Sequence, residues 1–177
     1  MKTFLFRAVG AALLNPSAFE DVEGDRSAIW QALLVVLLSS VAAGVALGGG
    51  HEFDPGIILA FSALALVTWL AWAALIRELG GRVFPELQTR VDFGQLVRTT
   101  GFAAAPGALQ LLGVVAPIRT YVFAIAWIWM LIAMVIAVRQ ALDYRSVRHA
   151  AGICVIALAV VALATLVLAT ALERTVS

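Results

Sequence analysis

The feature that most limits what this chain can become is a series of long runs without one charged side chain. They are Ala28 to Leu47, Gly56 to Ile76, Tyr121 to Val138 and Ala150 to Leu172. An α-helix rises 1.5 Å per residue, so about 20 mostly apolar residues cross the hydrocarbon core of a bilayer. A fifth stretch, Thr99 to Ala116 within "RTTGFAAAPGALQLLGVVAP", would reach about 27 Å as an α-helix and is the shortest fit. The chain is 63% hydrophobic and 13% charged, whereas soluble domains carry roughly 45–50% apolar and about 25% charged residues. The expected fold is an all-α membrane protein: a bundle of five transmembrane helices over residues 27–177, preceded by a cytosolic, interfacial N-terminal segment over residues 1–26.

The run ends carry boundary chemistry. Asp25 or Ser27 is placed to cap the first helix, Gly48, Gly49 and Gly50 end it, and Pro55 precedes the second. Trp30, Trp127, Trp129 and Tyr121 fit interfacial anchors, while Trp69 and Trp72 fall too deep and are expected to pack against other helices. With five spans and the N-terminus inside, the inner segments hold Lys2, Arg7, Arg26, Arg77, Arg82, Arg90, Arg98, Arg139, Arg145 and Arg148, and only Arg119 and Arg174 remain outside. That asymmetry predicts a cytoplasmic N-terminus and an outer C-terminus.

The first residues, "MKTFLFRAVGAALLNPSAF", have a basic start, but Arg7 interrupts the apolar stretch that a secretory signal would need. An interfacial amphipathic helix is expected instead, with Phe4, Leu5, Leu13 and Leu14 among the headgroups and Lys2 and Arg7 at the surface. Asn15 followed by Pro16 then opens a short second helix, with Glu20 and Asp21 near its positive end and Gly24 closing it.

The third run contains residues that weaken helices. Pro106 has no amide hydrogen and crowds the Phe102 carbonyl, which predicts a bend and a free acceptor that a neighbouring helix, hydroxyl or water must satisfy. This span is therefore expected at the centre of the bundle, with Gly101, Ala105 and Gly107 admitting close neighbours. Its bend reads either as a packing kink or as a broken helix lining a polar pathway with Thr100 and Gln110. Ser40, Gly44 and Gly48 form a second stripe of small residues on the first span, ending in "GVALG". It marks close packing, within one chain or between two copies.

Chemistry-bearing clusters are sparse. His51 and His149 fall on opposite sides of the predicted topology, and neither an HExxH motif nor a Cys/His cluster occurs, so no metal, cofactor or catalytic residue is expected. His51, Glu52 and Asp54 read as a solvated hairpin end. Ionisable residues are absent from the interior of the first, second, fourth and fifth runs, which disfavours proton pumps and ion-coupled transporters. The net charge of +1 argues against a nucleic-acid partner. The lone Cys154 has no internal disulfide partner. The inner loops carry the remaining signal. "RELGGRVFPELQTRVDFGQLVR" interleaves Arg77, Arg82, Arg90 and Arg98 with acidic and apolar residues, as in an amphipathic segment lying on the membrane, and Arg139, Arg145 and Arg148 flank the last connection. Such arginines suit anionic lipid or a protein partner.

Three stretches in order, "LLNPSAFEDV" before the first span, "GFAAAPGAL" in the third and "VRQALDYRSVRHA" between the fourth and fifth, resemble the Yip family of Ypt/Rab-interacting membrane proteins. The family signature in the third span runs Gly, Tyr, three residues, Pro; Gly101, Phe102 and Pro106 hold those places, with Phe for Tyr. The resemblance implies five spans and a cytosolic N-terminus. The Asp-Leu-Tyr-Gly-Pro motif of eukaryotic relatives does not occur, and the short form is similar to bacterial members, which implies a bacterial inner membrane. The expected role is non-catalytic, a scaffold or accessory factor that joins membrane or cytosolic proteins or a second copy of itself. The alternative is a small transporter or channel for a neutral or lipid-like solute using the third span.

Overall fold

The computed structural model describes residues 2–47, 55–85 and 92–176. Among these the regular structure is helical throughout. Helix α1 spans Lys2–Ala12 and α2 spans Pro16–Gly24. Between them Leu14 adopts a left-handed φ of 60°, and the Asn15 side chain accepts from the Ser17 amide at 3.1 Å with Pro16 opening the helix, as its sequence predicts. A Cβ on Gly10 would lie only 2.6 Å from the Ala18 Cβ, so the two helices meet at a distance that a larger residue at this crossing would not allow.

Helix α3, Ala28–Leu47, starts where Asp25 accepts from the Ser27 amide at 2.8 Å. Helix α4, Pro55–Glu78, continues through a π-helical turn, Leu79–Val83. After α5, Phe93–Phe102, and the segment described next come α6, Arg119–Ala141, and α7, Val147–Val176. Three described helical stretches are long and apolar enough to cross a membrane: Ala28–Leu47, Ile58–Val83 and Ala116–Ala141. The expected loop over residues 77–98 is shorter than its sequence suggests, because α4 and its π turn run to Val83 and α5 begins at Phe93. Asp92 caps α5, accepting from the Gly94 amide at 2.9 Å.

The third run departs most from expectation. It is not one bent α-helix: α5 stops at Phe102, and after a turn the chain resumes as a 3-10 helix, Ala105–Val114, followed by a second short one, Ala116–Ile118. Pro106 stands in the first turn of the 3-10 helix, where its missing N–H is not needed, rather than inside a continuing α-helix. A 3-10 helix turns every three residues, so side chains three apart eclipse. Gly107, Gln110 and Gly113, all buried, therefore form one ridge.

The same geometry sets length. A Cβ on Gly101 would meet the Ala32 Cβ, one on Gly107 would overlap the Ser39 hydroxyl, and one on Gly113 would meet the Ala46 Cβ, so this segment runs alongside α3 in the same direction. From Ala32 to Ala46, α3 rises about 21 Å, while Gly101 to Gly113 as a pure α-helix would rise only about 18 Å. The roughly 2.0 Å rise of the 3-10 helix closes the gap. Along the other side, Met130 and Phe123 of α6 approach Gly107 and Gly113 in the antiparallel sense. The third segment is thus held between α3 and α6 on its glycine side, while Leu109, Leu111, Leu112 and Val115 on its other sides are exposed, so it is not enclosed at the centre of the bundle as its residues suggest.

The largest wholly buried side chains are Phe19, Phe102, Ile76, Leu96, Leu142 and Ile153. They come from α2, α5, the last turns of α4, the α6–α7 turn and the start of α7, so the core lies at the end of the bundle that carries the α4–α5 and α6–α7 connections, the inner end of the expected topology. Towards the other end Gly44, Gly107 and Gly113 let Ile58, Ser39, Met130 and Phe123 approach closely. Lipid tails are as apolar as leucine, so close packing and hydrogen bonds, rather than expulsion of water, hold such helices together.

Candidate functional site

The inner end holds two buried arginines, Arg7 and Arg98. Arg7, expected at the surface, is instead 3% exposed. Its Nε donates to Asp21 at 2.6 Å and its Nη1 to Gln31 at 3.1 Å, and Nη1 is 2.9 Å from Asp25. One side chain thereby ties α1, α2 and the first turn of α3 together. Burial opposes its charge, but hydrogen bonds and attraction from the two carboxylates outweigh that and raise its pKa. Asp25 receives hydrogen bonds from the Ser27 side chain, the Ser27 amide and Arg7, which hold its carboxyl down to about 2. Phe4 and Leu14, expected among headgroups, pack against the core instead, and Phe4 lies 6.5 Å from the Phe102 ring.

Arg98 is buried as well. It donates to the Val22 and Glu23 carbonyls at 3.3 and 2.7 Å, placing a cation at the negative end of the α2 dipole. The Glu23 carboxyl is pushed up, first by its own burial and then by nearby Asp143. Further along α5, Thr99 donates to the Gln95 carbonyl, Thr100 to the Leu96 carbonyl at 2.5 Å, and Trp69 of α4 donates to Thr100 at 3.2 Å. Hydroxyls bonded to carbonyls of their own helix compete with its ladder and bend it, and here they stand immediately before the break at Phe102.

A clamp closes the inner end of α4. The Tyr144 hydroxyl lies 2.8 Å from the Gly80 carbonyl and 3.1 Å from that of Phe84, and His149 Nε2 lies 3.0 Å from the same Phe84 carbonyl, so it carries the proton there. The Tyr144 and His149 rings are 4.7 Å apart. Gly80 is buried against Leu142 and Tyr144, where a Cβ would collide with the Leu142 side chain. The π turn therefore docks on the α6–α7 connection.

The residues singled out from sequence are distributed as follows. Ser40 lies 3.1 Å from Ser62 of α4, and Gly44 faces Ile58 of α4 with ordinary space for a Cβ, so both meet a neighbour in the same chain. Gly101, Phe102, Pro106 and Gly107 sit together, buried, around the break. Arg139 is half-buried and donates to the Tyr144 carbonyl at 3.3 Å; Arg145 and Arg148 are exposed beside it. Arg82 is exposed and paired with Glu78 at 2.6 Å. Gly48 and Arg90 lie outside the described residues, as do His51, Glu52 and Asp54. Trp129, expected as an interfacial anchor, donates to the Ala12 carbonyl at 2.7 Å. Sequence reasoning missed the burial of Arg7 and Arg98 and the bonding of Tyr144; an arginine inside a short apolar helix was the available signal for the first. Among the described residues no group of His, Cys, Asp or Glu is arranged to hold a metal ion.

The three stretches that carry the family resemblance converge at this end: α2, the broken third segment and the α6–α7 turn. A family model, the Yip1 domain, matches residues 10–169. The chain belongs to the Yip1 domain family. Comparison with curated proteins and with solved structures gives no match. As a Yip1-domain member with helices of membrane-crossing length, it is an integral membrane protein. The matched residues include Gly10, the residue packed on Ala18 at the α1–α2 crossing.

Proposed function

We propose that this protein is a non-catalytic scaffold or accessory factor of the bacterial inner membrane, crossing it five times with its N-terminus in the cytoplasm and its C-terminus outside. In this reading α3, α4, the combined α5 and 3-10 segment, α6 and α7 are the five crossings, and the inner end recruits a membrane or cytosolic protein. The observation that carries the proposal is how the polar groups are used. Arg7, Arg98, Ser40, Thr100 and Tyr144 are each bonded to another part of the same chain, so the interior is tied together rather than lined for a solute. Arg145 and Arg148, with the exposed Val147 and Phe84 near them, face outward at the inner end. Arginine forks suit carboxylates on a protein partner.

Mild extraction followed by mass spectrometry tests this reading. A protein recovered in fixed proportion to the scaffold is the expected result. Recovery of one small molecule or lipid species held between helices, with no protein partner, would favour transport through the third segment instead.

A further inference from the structure

Trp129 stands midway along α6, and its indole N–H donates to the Ala12 carbonyl at the C-terminus of α1. An indole reaches about one helical turn, 5.4 Å, along its own helix, so this end of α1 lies near the middle level of a spanning helix. Arg7, further back, bonds Gln31 within the first turn of α3, near the inner end. From the turn at Leu14 the chain comes back: α2 packs on α5 and α6, and its last carbonyls, at Val22 and Glu23, meet Arg98. The N-terminal pair therefore goes in and returns.

The two helices present different outer sides. Leu5, Phe6 and Val9 lie within one side of α1, Leu13 follows on the same side just past its end with its amide bonded to the Val9 carbonyl, and each is more than half exposed. Ser17, Glu20 and Asp21 lie on the outer side of α2 and are exposed. The charge that argued for a surface position, Arg7, is directed into the protein and balanced there by Asp21 and Asp25, which leaves the outer side of α1 without it.

We propose that α1 and α2 form a re-entrant hairpin in the inner leaflet, with acyl chains of that leaflet covering the stripe Leu5, Phe6, Val9 and Leu13. Helix α1 packs against the 3-10 helix of the third segment, whose Leu109, Leu111 and Leu112 are also exposed, so one lipid phase is placed to cover both. Such a hairpin occupies area in one leaflet only, and apolar helix faces inserted in this way respond to lipid packing and curvature. The inference rests on α6 spanning the bilayer, as proposed above, and is independent of the partner recruited.

The test uses nitroxide labels on single cysteines in a Cys154→Ala background, in the full chain reconstituted in phosphatidylethanolamine and phosphatidylglycerol vesicles. Labels at exposed positions Leu5, Leu13 and Glu20 are compared with references at Ile125 and Ile132 of α6, and depth is read from relaxation by oxygen against a water-soluble nickel chelate. The Leu13 label is expected at a depth between those of the Ile125 and Ile132 references, which flank Trp129, the Leu5 label shallower by up to about 12 Å, and the Glu20 label open to nickel. Trp129→Phe should bring the Leu13 label towards the surface. Leu5 and Leu13 labels at one shallow depth, with α6 references deep, would overturn the hairpin alone. Shallow α6 references would overturn the spanning reading together with it.

Discussion

Arg7 donates to Asp21 across 2.6 Å from a position almost closed to solvent, while the Asp21 side chain keeps 46% of its surface exposed. The pair is unequal. Removing the acids strands a buried cation, whereas removing Arg7 leaves carboxylates that water still reaches. Removing the partners of a buried charge is destabilising, and the solvent that reaches Asp21 and Asp25 reduces the loss. The double variant Asp21→Asn, Asp25→Asn should therefore lower the melting temperature in detergent more than Arg7→Met does. A smaller loss for the acid double variant than for Arg7→Met would show that Arg7 acts mainly by filling space.

Acid should loosen the same junction. Asp25 has a folded pKa of about 2 against an ordinary 3.8. A depressed carboxylate contributes stability that is complete above the ordinary value and is lost as pH falls through the folded one. The protein should become more susceptible to cleavage near α1 and α2 between pH ~4 and ~2, and Asp25→Asn should flatten that dependence. Glu23 runs the other way. Its raised pKa means that its contribution is present at low pH and declines as pH rises, so Glu23→Gln should raise the melting temperature at neutral pH. A fall there would place its carboxylate in a stabilising contact.

How far these features are legible in the sequence depends on their range. Asn15, Pro16 and the apolar length of α3 are local signals, and they fold as read. Burial of Arg7 depends on acids 14 and 18 positions away in sequence, and the Tyr144 clamp on carbonyls 64 and 60 positions away, so charge or ring alone suggests only a surface residue or an anchor. The third segment is an intermediate case. Gly101, Ala104, Gly107, Gln110 and Gly113 recur every three residues, a 3-10 period that an α-helical template hides.

That period makes the glycines unequal. A Cβ on Gly107 would overlap Ser39, whereas one on Gly44 would stand 3.5 Å from Ile58. Gly107→Ala is expected to destabilise by about 1–3 kcal/mol through overpacking, with part of the loss recovered by adding Ser39→Gly. Gly44→Ala should be mild. Thermal unfolding of the four proteins reads the difference, and a mild Gly107→Ala would contradict the close approach to α3.

Pro106→Ala should change little. In the first turn of the 3-10 helix the ring replaces no required hydrogen bond, and the stability change should stay within about 1 kcal/mol. A gain well beyond that would mean that the native chain strains to continue as an α-helix.

At the inner end, changing Arg145 and Arg148 to Lys keeps the charge that anionic lipid attracts but removes the planar, two-point donors. Insertion should persist while capture of a protein partner weakens. Equal capture by both forms, with equal dependence on anionic lipid, would leave these residues as determinants of orientation alone.

The central claim is that the broken third segment crosses the bilayer, which makes five crossings and puts the two chain ends on opposite sides. Reporter fusions after Arg82 and after Ser177 test it most directly. The account predicts a cytoplasmic signal from the first and an outer signal from the second. A cytoplasmic signal at Ser177 would contradict it, leaving an even number of crossings, with one of the five missing or the third segment turning back within the membrane.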